Sequence, residues 1–281
     1  MRLARLGDSG QEIPVIIDGD GGARDARRWV DDWAGAALDP ENLRRLETRT
    51  LDHLPVLVTP GRFGPCVARI GKIVGVALNY RMHAVETGAK LPSEPHIFMK
   101  ATSALAGAHD PITMPPTGVK LDWEVELGVV IGRTARNVTA AEALDYVAGY
   151  CLLDDVSERA FQLERGGAQH TKGKSADSFC PLGPWLLTAD EGGDPQNIAL
   201  WTKINGVTMQ NGTTAQMLHP VAALIATISE FMTLNPGDVI ATGTPDGVGK
   251  GMNPPCYLKV GDVVTLGGAG LGEQRHQVVM A

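Results

Sequence analysis

With 281 residues, a formal net charge of −7 and 43% hydrophobic side chains, the chain is long enough for one large domain or two modest ones, each able to bury a core unaided. The acidic balance, the absence of a basic cluster and an aromatic content of only 5% argue against nucleic acid as a partner, since neither a cationic track nor a stacking platform is on offer. No run approaches the roughly 20 apolar residues that a membrane-spanning helix needs, and the first residues lack the basic-then-apolar layout of a signal peptide, so a cytoplasmic protein with no membrane partner is expected.

Residues 1–66 differ in pattern from the rest of the chain. They hold a short apolar run, Ile13 to Ile17, a Gly-Asp turn at Asp18 to Gly22 and a charged helical stretch around Glu41 to Arg49. Pro60-Gly61-Arg62-Phe63-Gly64-Pro65 then reads as a linker, because proline and glycine break the surrounding pattern. A small N-terminal domain over 1–66 is expected, with a catalytic domain over 67–281. In the latter, β-like runs recur at Lys72 to Leu78, Trp123 to Ile131, Val147 to Leu153, Leu200 to Ile204, Asp238 to Ala241 and Val263 to Leu266. Helices are fewer: Thr139-Ala140-Ala141-Glu142 fits a capping box, Ser157 suits the cap of a second helix that stops at Gly166-Gly167, and Pro220 suits the first turn of a third. Strands and helices do not alternate regularly, so an α+β fold is expected rather than a doubly wound sheet. The four cysteines, Cys66, Cys151, Cys180 and Cys256, form no C-x-x-C pair and read as buried free thiols.

Glu124 and Glu126 stand two apart inside the run Trp123 to Gly132, which otherwise reads as a buried strand. Alternate strand residues share a face, so both carboxylates project the same way, with backbones about 6.6 Å apart at a rise of about 3.3 Å per residue. Two like charges aimed into a core require protonation, paired cations or a divalent metal, and a hard oxygen-liganded cation is the simplest answer. The other reading is an edge strand whose glutamate face is solvated. Asp154-Asp155 end the next apolar run, where one of the pair could complete a three-carboxylate site or both could simply favour a helix start. Arg159 and Gln162, three apart on a helix, share a face suited to a carboxylate or ketone oxygen, or to water. His83 and Glu86 can meet across one helical turn, so that the carboxylate orients the imidazole as a base toward water. Gly88, Pro92 and Pro95 come next, as in a mobile lid. Lys174 sits in a short polar loop and reads as a charge-binding group or an exposed lysine. Thr242 to Gly249 is glycine-rich but lacks the Gly-Lys-Ser/Thr ending of a phosphate loop, which argues against nucleotides and leaves its amides and the Thr244 hydroxyl free for another ligand.

In combination and in this order, these segments resemble the fumarylacetoacetate hydrolase superfamily over residues 70 to 275. The resemblance rests on Asn79-Tyr80-Arg81 with His83 and Glu86; on Trp123 to Gly132; on Gly149-Tyr150 with Asp155-Val156-Ser157, Arg159 and Gln162; on Gly173-Lys174-Ser175; on Asn205-Gly206; and on Pro236 to Gly249. It implies a mixed β-roll, Mg²⁺ or Mn²⁺ held by Glu124, Glu126 and Asp155, a water-activating His83/Glu86 dyad and Lys174 beside the metal. Tyr80, Arg159, Gln162 and Thr244 match positions that line the pocket, and a homodimer is implied. Two departures, Met82 in place of a common aspartate and the lack of a tryptophan in Ala168 to Thr171, bear on pocket shape.

The implied enzyme is a hydrolase of carbon–carbon bonds in 2,4-dioxo acids that releases pyruvate. Similarity to a bacterial group favours 2,4-didehydro-3-deoxy-L-rhamnonate or L-fuconate, giving pyruvate and lactate. The alternatives are a ureidoglycolate lyase, another acylpyruvase or oxaloacetate decarboxylase activity, and a non-catalytic metal-stabilised binding protein.

Overall fold

All seven residues of Val125–Ile131 and all eight of Val147–Asp154 are buried, a pattern that only strands covered on both faces can satisfy. In the structure, a computed structural model describing residues 1–58 and 61–281, these two strands pair antiparallel at the centre of a nine-stranded sheet. The sheet runs in the order Ala23–Asp25, Ile13–Ile17, Arg2–Leu6, Leu186–Thr188, Val147–Asp154, Val125–Ile131, Val239–Ala241, Ile73–Ala77, His96–Lys100. Only the pairing of Val239–Ala241 with Ile73–Ala77 is parallel; its other ladders are antiparallel. A second sheet of five strands, in the order Val207–Thr213, Ala199–Ile204, Val263–Gly268, Gly272–Met280, Ile112–Met114, completes the mixed architecture. Gln210 links the two sheets, its Oε1 accepting the Val125 amide at 3.0 Å. The α+β expectation holds, and the solvated-edge reading of the glutamate strand does not.

The first 66 residues are joined to the rest by both sheet and core. Arg2 pairs with Leu187 and Leu3 with Leu186, and the Met1 amino group donates to Thr188 Oγ1 at 2.6 Å. Leu3, Ile16, Trp33, Leu38 and Leu43 pack into the main core, whereas Ala4, Leu6, Val15, Ile17 and Ala23 form a second cluster on the opposite face of their strands. Alternation along one strand thus feeds two cores. The expected linker forms part of this junction from Gly61 onward, with Arg62 bonded to Asp110 and Glu12; Pro60 lies outside the described residues.

Local expectations fare unevenly. The Glu41 region is a helix over Pro40–Glu47, and Val221–Phe231 buries Val221, Leu224, Ile225 and Ile228 as one helical stripe, with Pro220 one position earlier than expected, at the cap. Thr139 and Glu142 do bond each other at 2.7 Å, yet they lead only into a 3₁₀ turn over Ala143–Tyr146. Ser157 does not cap a helix: it belongs to a short strand paired with Asp122, and Glu158 caps Arg159–Leu163 by accepting the Phe161 amide. Cys66, Cys151 and Cys180 are buried free thiols, but Cys256 is exposed. No helix among the described residues is long and apolar enough to cross a membrane.

Gly149 shows how tightly the central strands are drawn together. It lies opposite Thr188, and a Cβ there would stand 2.2 Å from the Leu187 carbonyl oxygen. Because backbone cannot rotate aside as a side-chain tip can, Gly149→Ala should destabilise the fold by about 1–3 kcal/mol, read as a lowered urea midpoint; an unchanged midpoint would contradict this packing.

Candidate metal centre and active site

The antiparallel register sets Glu126 opposite Leu153 and Val125 opposite Asp154, so Glu124, one residue ahead of its strand, meets Asp155, one residue beyond the other. The Asp155 amide donates to the Glu124 carbonyl at 2.9 Å, and the Glu124 amide to Asp154 Oδ1 at 3.0 Å. That contact turns Asp154 away and leaves Asp155 to face the glutamates. Glu124, Glu126 and Asp155 are all buried, and one oxygen of each lies within 4.8 Å of the others. No other such cluster of three His, Cys, Asp or Glu occurs among the described residues.

Cations surround these carboxylates unequally. Arg159 donates to Glu124 Oε1 at 2.5 Å and to Asp122 at 2.9 Å. Lys174 bonds both Glu124, at 2.6 Å, and Asp155, while Lys100 donates to Asp155 Oδ1 at 2.6 Å. Burial would raise the Glu124 carboxyl, but Lys174 and Arg159 outweigh it and hold the group below its ordinary range. Glu126 has no such partner: its hydrogen bond comes from the Gly243 amide, at 2.8 Å to Oε2. Burial, reinforced by Asp155 and Glu124, pushes its carboxyl well above the glutamate range. Three hard oxygen donors with one carboxylate uncompensated fit a divalent cation such as Mg²⁺ or Mn²⁺.

Facing this cluster, the one-and-a-half-turn helix Arg81–Glu86 brings His83 Nδ1 to 2.8 Å from Glu86 Oε1. A carboxylate only accepts, so Nδ1 carries a proton, and in the neutral ring the lone pair is on Nε2. Glu86 is itself fixed by the Gly247 amide at 2.8 Å. The glycine-rich stretch after Val239–Ala241 therefore points its amides at the protein's own carboxylates rather than at a ligand: Gly243 at Glu126, Gly247 at Glu86, Gly249 and Lys250 at Asp122. Gly243 adopts φ +94°, and a Cβ there would meet Asn79 Cβ at 2.7 Å, so the turn needs glycine.

A cavity of about 200 Å³ is lined by the three carboxylates, His83, Lys174, Arg159, Gln162 and Thr244. Thr244 Oγ1 donates to the Val125 carbonyl at 2.8 Å and receives Gln210 Nε2 at 2.8 Å, so its hydroxyl is held by the scaffold. Glu86 stands behind His83. Tyr80 does not line the cavity: its buried hydroxyl has no hydrogen-bond partner among the described residues, and burial, then Glu126, push its pKa above the usual tyrosine value. A larger cleft of about 600 Å³ over Arg28, Trp29, Arg49 and Arg69 contains none of the three carboxylates. Sequence reasoning missed Lys100 and Asp122, which position the cluster, and Phe98, His170 and Lys250, which line the cavity. Period-two spacing of Phe98 and Lys100 on one strand was an available signal; for Lys250 there was none.

A family model described as fumarylacetoacetate (FAA) hydrolase C-terminal matches residues 72–279. A Burkholderia ambifaria protein described as a hydrolase is 53% identical over 275 residues, 98% of this chain and 97% of its own. Among solved structures, fumarylacetoacetate hydrolase from Exiguobacterium antarcticum aligns over 100% of both chains at 34% identity with a TM-score of 0.85. A 5-carboxymethyl-2-hydroxymuconate delta-isomerase from Mycobacterium smegmatis aligns over 100% of this chain and 99% of its own (31%, TM-score 0.77). Maleylpyruvate hydrolase from Sphingobium sp. SYK-6, in complex with manganese(II) and pyruvate, aligns over 100% of both chains (29%, TM-score 0.80).

Charge imbalance at Glu126 sets the expected response to metal. Mn²⁺ at about 100 times its dissociation constant should stabilise the protein by about 2.7 kcal/mol, and Glu126→Gln should abolish this increment in thermal unfolding with and without a chelator. A carboxyl raised in the folded chain contributes stability below its ordinary value of 4.5 and loses that contribution as pH rises. Metal-free Glu126→Gln should therefore gain on the wild type as pH climbs above that value; an equal Mn²⁺ increment in both proteins would dismiss the centre.

Proposed function

The chain belongs to the fumarylacetoacetate hydrolase family, and from that footing we propose that it hydrolyses the C3–C4 bond of a 2,4-dioxo acid, releasing pyruvate and the carboxylic acid of the other half. The observation that carries this reading is the shared cavity: an oriented imidazole with a free Nε2 faces three buried carboxylates that could hold a divalent cation. The Sphingobium neighbour, a maleylpyruvate hydrolase solved with manganese(II) and pyruvate, supports a pyruvate product.

Glu124, Glu126 and Asp155 would hold the cation, which when bound supplies Lewis-acid stabilisation of negative charge developing on oxygen. His83 takes a proton from water through Nε2, while Glu86 keeps the ring in the right tautomer and shares the charge it gains. The water oxygen forms the new bond to C4. The C3–C4 bond breaks with its electron pair left on the pyruvate half, and the resulting enolate is protonated at C3. Lys174, an ammonium already among the carboxylates, is placed to steady that charge or to return the proton. Arg159 and Gln162, bonded to each other at 3.0 Å, form the wall against which the head of the substrate is oriented. The sugar acids 2,4-didehydro-3-deoxy-L-rhamnonate and L-fuconate are candidates for the whole substrate on sequence resemblance, and would give pyruvate and lactate.

His83→Ala should lower turnover on the order of 10²–10⁴-fold while keeping the Mn²⁺ stabilisation, whereas Glu126→Gln should lose both. Pyruvate release from acylpyruvates and the sugar acid, with glyoxylate release from ureidoglycolate run beside it, checks the reading. Glyoxylate without pyruvate would replace it by the lyase, and undiminished turnover in His83→Ala would remove the proposed base.

A further inference from the structure

We infer that Lys250 selects a substrate with a second carboxylate, at the end of the 2,4-dioxo acid opposite its 2-oxo carboxylate head, so that the acyl half is itself a carboxylic acid. The inference rests on the acylpyruvate reading and, among its possible tails, favours a diacid over the deoxy sugar acids.

Four basic side chains line the cavity besides Lys250, and each is already engaged. Arg159 is bonded to Asp122, Glu124 and Gln162 Oε1; Lys174 to Glu124 and Asp155; His83 to Glu86. His170 meets Gln162 at 3.2 Å, and burial, with Lys174 and His96, pushes it down to about 4, so it is neutral near pH 7. Among the described residues the Lys250 ammonium has neither a carboxylate within 4.0 Å nor a side-chain hydrogen bond.

Its backbone is anchored all the same. The Lys250 amide donates to Asp122 Oδ2 at 3.0 Å, and Gly249 beside it donates to Oδ1 of the same carboxylate at 2.7 Å. The side chain thus projects from a fixed point. It is half-buried, and desolvation, with the positive charge of Arg159 second, pulls its pKa below the usual lysine value. A partly desolvated ammonium facing Arg159 and Lys174, with Glu124 and Asp122 acting against them but neither within 4.0 Å, gains from an anion that joins it directly. Val76, Phe98 and Leu163 supply apolar wall in the same cavity, suited to the carbon chain between two charged ends. The hydroxyl tail of a deoxy sugar acid would bring Lys250 no countercharge.

The test uses the full-length Mn²⁺-loaded protein and two substrates with the same seven-carbon skeleton, 2,4-dioxoheptanedioate and 2,4-dioxoheptanoate. The wild type should prefer the dicarboxylate by about 10- to 100-fold in kcat/KM, the range expected for one charge-assisted hydrogen bond, with the difference carried mainly by KM. Lys250→Met should collapse that ratio toward one, and Lys250→Arg should preserve most of it. A ratio equal in wild type and Lys250→Met, or faster cleavage of 2,4-didehydro-3-deoxy-L-rhamnonate than of the dicarboxylate, would overturn the assignment. Calorimetry with 2-oxoheptanedioate and 2-oxoheptanoate, which lack the 4-oxo group and cannot be cleaved, separates the two levels. Tighter binding of the diacid that is lost in Lys250→Met upholds Lys250 even if neither dioxo acid is hydrolysed, a result that would refute the acylpyruvate reading alone. Equal binding of the two acids by the wild type would refute the Lys250 assignment itself.

Discussion

Three carboxylates buried against one another at the ends of two central strands are the constraint around which this molecule is organised. Such a group is tolerated only if positive charge and donated hydrogen bonds accompany it, and the chain supplies both from distant segments. Lys100 arrives from the edge strand, Arg159 and Lys174 from two short helices, and the Gly243 amide from the turn after Val239–Ala241. Each is useful only with the sheet register in place, because a slip of one residue would turn Glu126 to the opposite face. Fold and site are therefore specified together.

Much of this was legible in the sequence because it rests on local periodicity. Glu124 and Glu126 share a face by strand alternation, and His83 and Glu86 meet by helical spacing; both rules depend on backbone geometry alone. Asp155 could be preferred to Asp154 only by resemblance, since the distinction arises from the Glu124 amide capturing Asp154, a contact across 30 positions. Lys100 and Asp122 escaped for the same reason: their partners lie 55 and 37 positions away. Ser157 misled because an S-x-x-x start resembles a cap, whereas pairing with Asp122 drew it into a strand. The N-terminal segment reads as separate by composition, yet its first strand supplies a partner to Leu186–Thr188 that no local signal announces.

The uneven compensation of the carboxylates has a chemical consequence. Glu124 is paired twice and Asp155 twice, so both are oriented by protein cations, which also hold Glu124 below its ordinary range. Glu126 is left with a backbone donor, and it is there that a divalent cation adds most. Full compensation by lysines and arginines would have stabilised the empty fold and weakened the case for metal uptake, while no compensation would have forced protonation. The observed arrangement lies between, with three carboxylates brought together and Glu126 left without a cationic partner among the described residues.

The turn from Thr242 to Lys250 ties these parts to one another. Its amides hold Glu126 of the carboxylate cluster, Glu86 beside His83, and Asp122, which anchors Arg159. Because the contacts use backbone, the one from Lys250 does not depend on its side chain, whereas Gly243, Gly247 and Gly249 leave no room for one. At Lys250 the N–H serves the scaffold while the ammonium lines the cavity. On the proposed reading, substitution there would alter which acid tail is accepted without moving His83 or the carboxylates, whereas a side chain at Gly243 would collide with Asn79 beside the amide that holds Glu126. A single turn would thereby separate what the proposed chemistry requires from what the proposed substrate requires, and the separation arises from which atoms, main chain or side chain, make each contact.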